Sequence, residues 1–342
     1  MSRETSSNEA VSLGESLASV AALGVTSNHG ALLRGALSSG FLQRCVEPIS
    51  ASRLVDETGI DKVRIESVCA ALTALGMLTA DDGARYSVAP AYRPLLGAGV
   101  DRFTLSRLEA SAVKERILRQ VFTQPGEVGY WSLDAESRRR VADGVTVDPT
   151  TDFARHAMRA TIDAIPNLSA AFTEGARYLE LGCGVGGAML TYLQLYPRVR
   201  AVGVELAADL VEVARTRASD LGLSDRVAFH TADACVYTDS ESFDVVFWSQ
   251  FFFTHDTRKA TLTNAFSHLR SGGLLIAPVL RGRPADGSLP DSQGALDELF
   301  YGAWGVPIKS AEELVLEVHS AGFKEASVSS SSFAVVVTAR RP

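Results

Sequence analysis

The sequence lacks the features that mark several large classes of protein. Its 342 residues include only four cysteines, none of them in C-x-x-C spacing, which excludes a zinc ribbon and argues against a disulfide scaffold. No apolar run approaches the ~18 residues that a membrane-spanning helix needs. The N-terminus, MSRETSSNEA, has no basic start followed by an apolar stretch. We therefore expect a cytoplasmic protein with no membrane partner.

Positive charge is also scarce. The formal net charge is -7, so the chain has no general attraction to nucleic-acid backbones or anionic lipids. The one dense basic cluster, SRRR at 137–140, is typical of a solvated helix face. With 46% hydrophobic and 21% charged residues, the composition is that of a soluble globular protein, and the length allows two domains.

The first half of the chain is predicted to be mostly helical. Residues 1–10 are rich in Ser, Glu and Asn and are predicted to be disordered. Residues 11–100 contain short helical patterns followed by LTADDGARYSVAP, a strand, a turn and a second strand. Three helices and a hairpin make a winged-helix unit, which binds DNA in many proteins. Here the helix in the recognition position, 62–75, offers only Lys62 and Arg64 as cations, so we expect no nucleic-acid partner.

The second half follows a different pattern. Residues 101–170 continue as helices and are interpreted as a linker and pocket lid. From 171 to 342, strands and helices alternate, which predicts an α/β fold with a mostly parallel, doubly wound sheet. Gly272 and Gly273 are expected to end the helix TRKATLTNAFSHL. The last two strands, FKEASVSS and SFAVVVTAR, are joined by a short link and should form an antiparallel hairpin at the sheet edge.

The stretch YLELGCGVGGAML, residues 178–190, has the G-x-G-x-x-G spacing of a dinucleotide-binding turn, a weak signal by itself. In an open α/β sheet the ligand lies beyond the carboxyl ends of the strands, above such a turn. Gly182, Gly184 and Gly186 let the backbone approach it closely. Glu180 would repel the pyrophosphate of NAD or FAD. The same carboxylate suits the sulfonium and ammonium groups of S-adenosylmethionine.

Two further acids end the next two strands. Glu205 closes VGVEL and is placed to accept both ribose hydroxyls of a nucleoside, a feature that NAD enzymes share. Asp233 closes HTADA, where its carboxylate can accept from an adenine amino group. The two acids therefore predict a nucleoside site, and the preference for a sulfonium cofactor rests on Glu180.

Taken together, LELGCGVGG, VGVEL, HTADA, FDVVFWSQ and LRSGGLLI resemble, in order and spacing, the class I S-adenosylmethionine-dependent methyltransferases. With its winged-helix unit, the chain resembles the small-molecule O-methyltransferases of plants and bacterial secondary metabolism. The resemblance implies a Rossmann-like sheet at 171–342, S-adenosylmethionine as cofactor, and a homodimer built through residues 11–100. The cofactor-binding residues would be Glu180, Gly182, Gly184, Gly186, Glu205, Leu206, Asp233, Ala234, Ser249 and Gln250.

The same resemblance suggests a catalytic base. The family usually has a His-Asp-Trp stretch after its fourth strand, and this chain has His255 and Asp256 there, followed by Thr257. His255 could take the acceptor's proton, contact the acceptor or cap the turn. A related group of keto-acid C-methyltransferases uses a similar His-Asp pair to bind metal, with a later His. Tyr301 falls at that later position and is a poor ligand, so we predict no metal.

Aromatic residues follow several strand ends and predict a small, flat, aromatic acceptor. The predicted acceptor-binding residues are His156, Met158, Trp248, Phe252, Phe253, Tyr301 and Trp304. O-methylation is favoured. The alternatives are C- or N-methylation by proximity on an indole, amine or keto acid, a winged-helix DNA-binding regulator with a vestigial cofactor fold, and an NAD enzyme.

Overall fold

The computed structural model of the protein describes residues 13–124, 126, 128–280 and 291–342. The stretch predicted to be disordered, 1–10, lies outside these residues. By its internal contacts the chain divides into two compact units, Met1–Leu108 and Glu109–Pro342.

The first unit combines helices with a small three-stranded sheet. Its elements are the helices α1 (Leu13–Ser38), α2 (Phe41–Arg44), α3 (Ala51–Thr58), α4 (Lys62–Ala74) and the first turns of α5 (Val100–Gln120), and the strands β1 (Ile49–Ser50), β2 (Leu78–Ala80) and β3 (Arg85–Val88). The side chains of Ser50 and Asp61 cap α3 and α4 by accepting backbone N–H groups. The strands pair antiparallel in the order β1-β3-β2. The predicted helices and hairpin are thus present, as in a winged-helix unit.

The second unit alternates helices and strands. After α5 its helices are α6 (Ala135–Gly144), α7 (Asp152–Asp163), α8 (Leu168–Glu174), α9 (Gly187–Leu195), α10 (Ala208–Asp220), α11 (His255–His268), α12 (Ser292–Gly302) and α13 (Ala311–Ser320). Its strands are β4 (Arg177–Leu181), β5 (Arg200–Glu205), β6 (Val227–Thr231), β7 (Phe243–Trp248), β8 (Leu269–Pro278), β9 (Lys324–Ser330) and β10 (Val335–Arg340).

The seven strands of the second unit form one sheet in the order β6-β5-β4-β7-β8-β10-β9. The strands from β6 to β8 are parallel, whereas β10 pairs antiparallel with both β8 and β9. The order reverses direction at β4, so the crevice at its carboxyl end is where ligands of such sheets bind. The predicted parallel sheet with a C-terminal antiparallel hairpin is confirmed.

Both faces of the sheet are buried. In β4, Tyr178 packs into the hydrophobic core on one side, and Leu179 and Leu181 pack into the core on the other. Successive side chains of a strand point to opposite faces, so a nearly continuous apolar run is what a central parallel strand requires. Glu180 is the acidic exception in this run, and it is also buried.

Two expectations about the chain need correction. Gly272 and Gly273 do not end a helix, because α11 ends at His268 and both glycines lie within β8. A Cβ at Gly273 would lie 2.8 Å from the carbonyl oxygen of Arg270, so the irregular start of this strand needs a residue without a side chain. Tyr301, one of the aromatic residues expected to follow strand ends, lies within the helix α12 instead.

Candidate active site

The glycine turn directly follows β4. Gly182, Gly184 and Gly186 all have left-handed backbone conformations, with φ of 79°, 53° and 72°. A side chain is strained there, which explains three glycines in five residues. A Cβ at Gly182 would also lie only 3.2 Å from Ser249 and 3.3 Å from the ring of Phe253. The turn therefore lets the next loop approach the backbone closely.

Glu180 lies in β4, two residues before the turn, and is 5% exposed. One oxygen of its carboxyl group accepts a hydrogen bond from the Tyr178 hydroxyl at 3.0 Å. Burial raises the pKa of Glu180 to about 8, and the nearby carboxylate of Glu205 acts in the same direction. A buried acid in this state is stabilised in its charged form by a positive group.

Glu205 ends β5 and lies beside the glycine turn. Its carboxylate accepts the backbone N–H of Gly184 at 3.0 Å and that of Ala207 at 3.0 Å. Burial raises the pKa of Glu205, and these backbone hydrogen bonds oppose the shift. The carboxylate is thereby fixed in orientation at the carboxyl edge of the sheet.

Asp233 follows β6 and begins a tight backbone turn. Its side chain accepts the N–H of Cys235 at 2.8 Å, and its carbonyl accepts the N–H groups of Val236 and Tyr237. Unlike the two glutamates, Asp233 is exposed. The turn presents both a carboxylate and backbone groups to a ligand at this edge.

A pocket opens at the carboxyl ends of β4, β5, β6 and β7. It is lined by Tyr130, Trp131, Gly182, Val204, Glu205, Leu206, Asp233, Ala234, Cys235, Phe252, Phe253, Thr254 and Thr257. Seven of these residues are among those predicted from the sequence: Gly182, Glu205, Leu206, Asp233, Ala234, Phe252 and Phe253. One side of the pocket is acidic and the other is aromatic.

The aromatic side is a cluster of rings in edge-to-face and tilted contact. The centroid of Tyr130 lies 5.3 Å from that of Phe252 and 5.1 Å from that of Trp304. Trp304 lines a small adjoining cavity together with Tyr130, Trp131, Phe252, Thr254 and Val306. Its indole N–H is buried and has no hydrogen-bond partner among the described residues. An unpaired buried donor of this kind is rare and favours a polar partner in the site.

Two further predicted cofactor residues, Ser249 and Gln250, do not line the pocket but stabilise the loop beside it. Ser249 donates its backbone N–H to Leu181. Gln250 is 1% exposed, donates its side-chain amide to the carbonyl of Pro278 and accepts from the guanidinium of Arg258. Arg258 is itself paired with Glu317 through two hydrogen bonds. The loop that carries Phe252 and Phe253 is thus anchored at its start.

Four of the predicted acceptor-binding residues line neither the pocket nor the adjoining cavity, and Trp304 lines only the adjoining cavity. Trp248 is fully buried in β7, with the Arg258 guanidinium 4.7 Å from its ring. Tyr301 is buried in α12, and Met158, which lies in α7, packs against the core. His156 is exposed, and its ring contacts Phe333.

His255 is the first residue of α11, and its side chain is exposed. Its backbone N–H donates to the carbonyl of Gly305 at 2.9 Å. The ring does not line the pocket, although the preceding residue, Thr254, does. Its role as the base stays a prediction.

Sequence reasoning missed several residues that line the pocket. Tyr130 and Trp131 come from a short 3-10 turn some fifty residues before the glycine turn. Thr254 and Thr257 flank His255, and Cys235 lies beside Asp233. Both rings belong to the short sequence GYW at 129–131, in which nothing local indicates contact with the sheet.

These residues fit S-adenosylmethionine. The glycine turn allows a close approach, and two acids line the pocket at positions suited to a nucleoside. A third, Glu180, is buried next to it with a carboxyl group whose charged form a cation would stabilise. Among the described residues, no group of three or more His, Cys, Asp or Glu side chains could hold a metal ion. Within the same residues, no helix has the length and apolarity to cross a membrane.

Comparison with known proteins supports this interpretation. Residues 179–273 match the family described as a methyltransferase domain. The chain is 31% identical over 104 residues to a malonyl-(acyl-carrier protein) O-methyltransferase of Bacillus cereus, covering 30% of this chain and 37% of that protein. It is 29% identical over 177 residues to erythromycin 3''-O-methyltransferase of Saccharopolyspora erythraea, covering 47% and 55%. The chain thus spans less than two thirds of the length of these relatives.

Solved structures match nearly the whole chain. An O-methyltransferase family protein from Burkholderia thailandensis aligns with a TM-score of 0.70 and 16% identity, covering 97% of this chain and 99% of that one. Human N-acetylserotonin methyltransferase in complex with SAM aligns with a TM-score of 0.69 and 13% identity, covering 98% and 99%. At such identities the likeness shows the fold. Residues 179–273 thus match a methyltransferase domain, and nearly the whole chain shares the fold of these solved methyltransferases.

Proposed function

We propose that the protein transfers the methyl group of S-adenosylmethionine to a hydroxyl oxygen of a small aromatic secondary metabolite. The observation that carries this proposal is the two-sided pocket, with Glu205 and Asp233 on one side and Tyr130, Trp131 and Phe252 on the other. The acidic side suits an adenosine and a sulfonium, and the aromatic side suits a flat acceptor. The names of both curated relatives above are those of O-methyltransferases, which favours oxygen as the methylated atom.

The acidic side would hold the cofactor. Glu205 would accept the ribose hydroxyls, and Asp233 would accept from the adenine amino group. Glu180, buried beside the turn, would contribute negative charge near the sulfonium. When bound, S-adenosylmethionine supplies a methyl group on a positively charged sulfur, and the protein must then align an acceptor with it.

The aromatic side would position the acceptor and exclude water. Methyl transfer is a direct displacement, for which good orientation contributes up to ~7–11 kcal/mol in ideal cases. Tyr130 and Phe252 can stack on a flat ring, and the unpaired N–H of Trp304 can donate to an oxygen of the acceptor. None of the residues that line the small adjoining cavity is charged. The site therefore favours an uncharged aromatic acceptor that carries oxygen.

The acceptor hydroxyl must also lose its proton. Catalytic groups often come together only in the reacting complex, so distance in the cofactor-free protein does not exclude a base. We therefore assign this role to His255, which directly follows the pocket residue Thr254. Its exposed ring, outside the pocket lining, favours a second candidate function. In that case the chain would methylate a nitrogen or carbon nucleophile that needs positioning alone.

The first experiment tests the cofactor. Titration calorimetry with S-adenosylhomocysteine should show binding at one site per chain, and a gel shift with random duplex DNA should show none. Glu180→Gln should weaken S-adenosylmethionine more than S-adenosylhomocysteine, because only the former carries the sulfonium charge. The proposal would be refuted if the protein bound neither S-adenosylmethionine nor S-adenosylhomocysteine, or if it bound duplex DNA.

The second experiment tests the acceptor. Purified protein, S-adenosylmethionine and a panel of neutral phenols, aromatic amines, indoles and aliphatic alcohols are incubated, and products are identified by mass spectrometry. We expect a gain of one methyl group on the phenols. Turnover of aliphatic alcohols alone would contradict the aromatic acceptor, and turnover of amines or indoles alone would select the second candidate function.

A further inference from the structure

Helix α11 has a polar side that ordinary packing does not explain. Thr261 and His268 are buried, and Asn264 between them is half-buried. These residues are three and four positions apart, so they lie along one face of the helix. A buried helix face is normally apolar, and burial of polar groups is favourable only when they are hydrogen-bonded.

This polar face contacts the backbone turn that follows β6. Asn264 donates both hydrogens of its side-chain amide, to the carbonyl of Ala234 at 2.8 Å and to that of Tyr237 at 3.0 Å. The hydroxyl of Thr261 lies 3.3 Å from the sulfur of Cys235. Two carbonyl acceptors fix the orientation of the Asn264 amide, because only its NH₂ end can donate.

The end of the same loop is held by His268. Its Nε2 accepts the backbone N–H of Asp239 at 3.2 Å. Its Nδ1 therefore carries the proton, which it shares with the carbonyl of Asn264 at 2.9 Å. The loop is thus fixed to α11 at 234, 237 and 239, immediately after the pocket residue Asp233.

We propose that Asn264 is a positioning residue for the adenine of the cofactor. By holding the carbonyls of Ala234 and Tyr237, it fixes the turn whose first residue, Asp233, presents its carboxylate to the adenine amino group. Asn264 itself does not line the pocket. This inference rests on the proposed function, because it requires that the pocket take an adenosine.

The test measures recognition of the adenine amino group, which a general loss of stability would not change selectively. Calorimetry compares S-adenosylhomocysteine with S-inosylhomocysteine, in which a carbonyl replaces that amino group. Wild-type protein should bind the adenosyl compound at least about tenfold more tightly. In Asn264→Ala and Asn264→Asp, affinity for the adenosyl compound should fall about tenfold or more, since a carboxylate or methyl group no longer donates to the two carbonyls. Affinity for the inosyl compound should change less than about threefold.

Two further variants complete the test. Thr263→Ala lies on the same helix but is exposed, and its hydroxyl bonds only within the helix, so it should bind both compounds like wild type. Thr261→Val, a milder change, should reduce the preference for the adenosyl compound by about two- to fivefold. Circular dichroism on heating verifies that each variant is folded.

The outcomes separate the inference from the proposed function. If wild-type protein binds neither compound, the proposed function fails. If it binds both equally, or if the Asn264 variants keep the wild-type ratio of the two dissociation constants, Asn264 does not position the adenine site. If the preference for the adenosyl compound falls in the Asn264 variants while Thr263→Ala behaves like wild type, the positioning role is established.

Discussion

Glu180 shows how one side chain can change the chemistry of a turn. Its neighbours in β4 are apolar and buried, and its carboxyl group is buried with them. Water is excluded, and the hydroxyl of Tyr178 supplies one hydrogen bond. Because the group has a pKa of about 8, it takes up a proton on folding at neutral pH.

The protonation of Glu180 predicts a pH dependence of stability. In the unfolded chain a glutamate has a pKa of about 4.3, so between that pH and about 8 the folded protein binds the extra proton. This contribution to the free energy of unfolding is full below about pH 4 and is lost as pH rises to about 8. The free energy of unfolding of the cofactor-free protein, measured in urea, should therefore be a few kcal/mol lower at pH 8 than at pH 5.

The variant Glu180→Gln isolates this contribution, since it cannot titrate. The difference in unfolding free energy between wild type and variant should shift in favour of the variant as pH rises from 5 to 8. A difference that is independent of pH would mean that Glu180 is ionised in the folded protein throughout this range.

His255 gives the second prediction for a single residue. If it removes the acceptor's proton, His255→Asn should lower kcat by at least about 10²-fold, while the affinity for S-adenosylhomocysteine stays within twofold of wild type. Lys259→Met, an exposed change one turn along α11, serves as the control. Rates are measured with the acceptor identified in the panel. Near-wild-type kcat in His255→Asn would leave positioning as the source of catalysis.

At the scale of secondary-structure elements, α9 is tightly constrained at its start. Its first residue, Gly187, lies against the loop after α6, where an added Cβ would be 2.3 Å from the carbonyl oxygen of Val147. No flexible side chain can give way at that contact, because the nearest atom belongs to the backbone. Glycine at this position therefore serves helix–loop packing, whereas Gly182 serves the approach of the loop after β7.

This contrast predicts opposite effects for two glycine-to-alanine changes. Gly187→Ala should destabilise the protein by about 1–3 kcal/mol through overpacking. Gly302→Ala, at the end of α12 with open space around it, should be neutral or stabilise by up to about 1 kcal/mol. Both are measured by urea unfolding. A stabilising Gly187→Ala would show that the loop after α6 moves aside readily.

At the scale of the whole molecule, the first unit exposes apolar side chains along α1. Leu17, Val20 and Leu23 are 60%, 65% and 72% exposed and lie on one side of the helix. Exposed apolar rows of this kind mark protein–protein contacts. They support the homodimer that the family resemblance implies, which we propose here for this chain.

The homodimer can be tested by sedimentation. Wild-type protein should sediment as a dimer, and the double variant Val20→Glu with Leu23→Glu should sediment as a monomer, because charge would then be buried in the interface. Ala18→Glu adds charge on the other side of α1, where the residue is also exposed, and should remain dimeric. A wild-type monomer, or a dimeric double variant, would contradict an interface through α1.

The sequence by itself determined the α/β architecture and the acidic side of the pocket. Alternating strand and helix patterns require a parallel sheet, and parallel strands bring their carboxyl ends to one edge. Glu205 ends such a strand and Asp233 lies in the turn that follows another, so their place at the pocket followed from local pattern alone.

The sequence also predicted Phe252 and Phe253, but only the tertiary structure decided which other rings complete the aromatic side. Tyr130 and Trp131 reach the pocket from a distant turn. Trp248 and Tyr301, which the sequence predicted to bind the acceptor, are buried and do not line it. An aromatic residue tends to be buried, but its type alone does not show which part of the protein covers it. Which part covers it depends on packing between segments far apart in the chain. The same is true of the hydrogen bonds from Asn264 to the turn after β6.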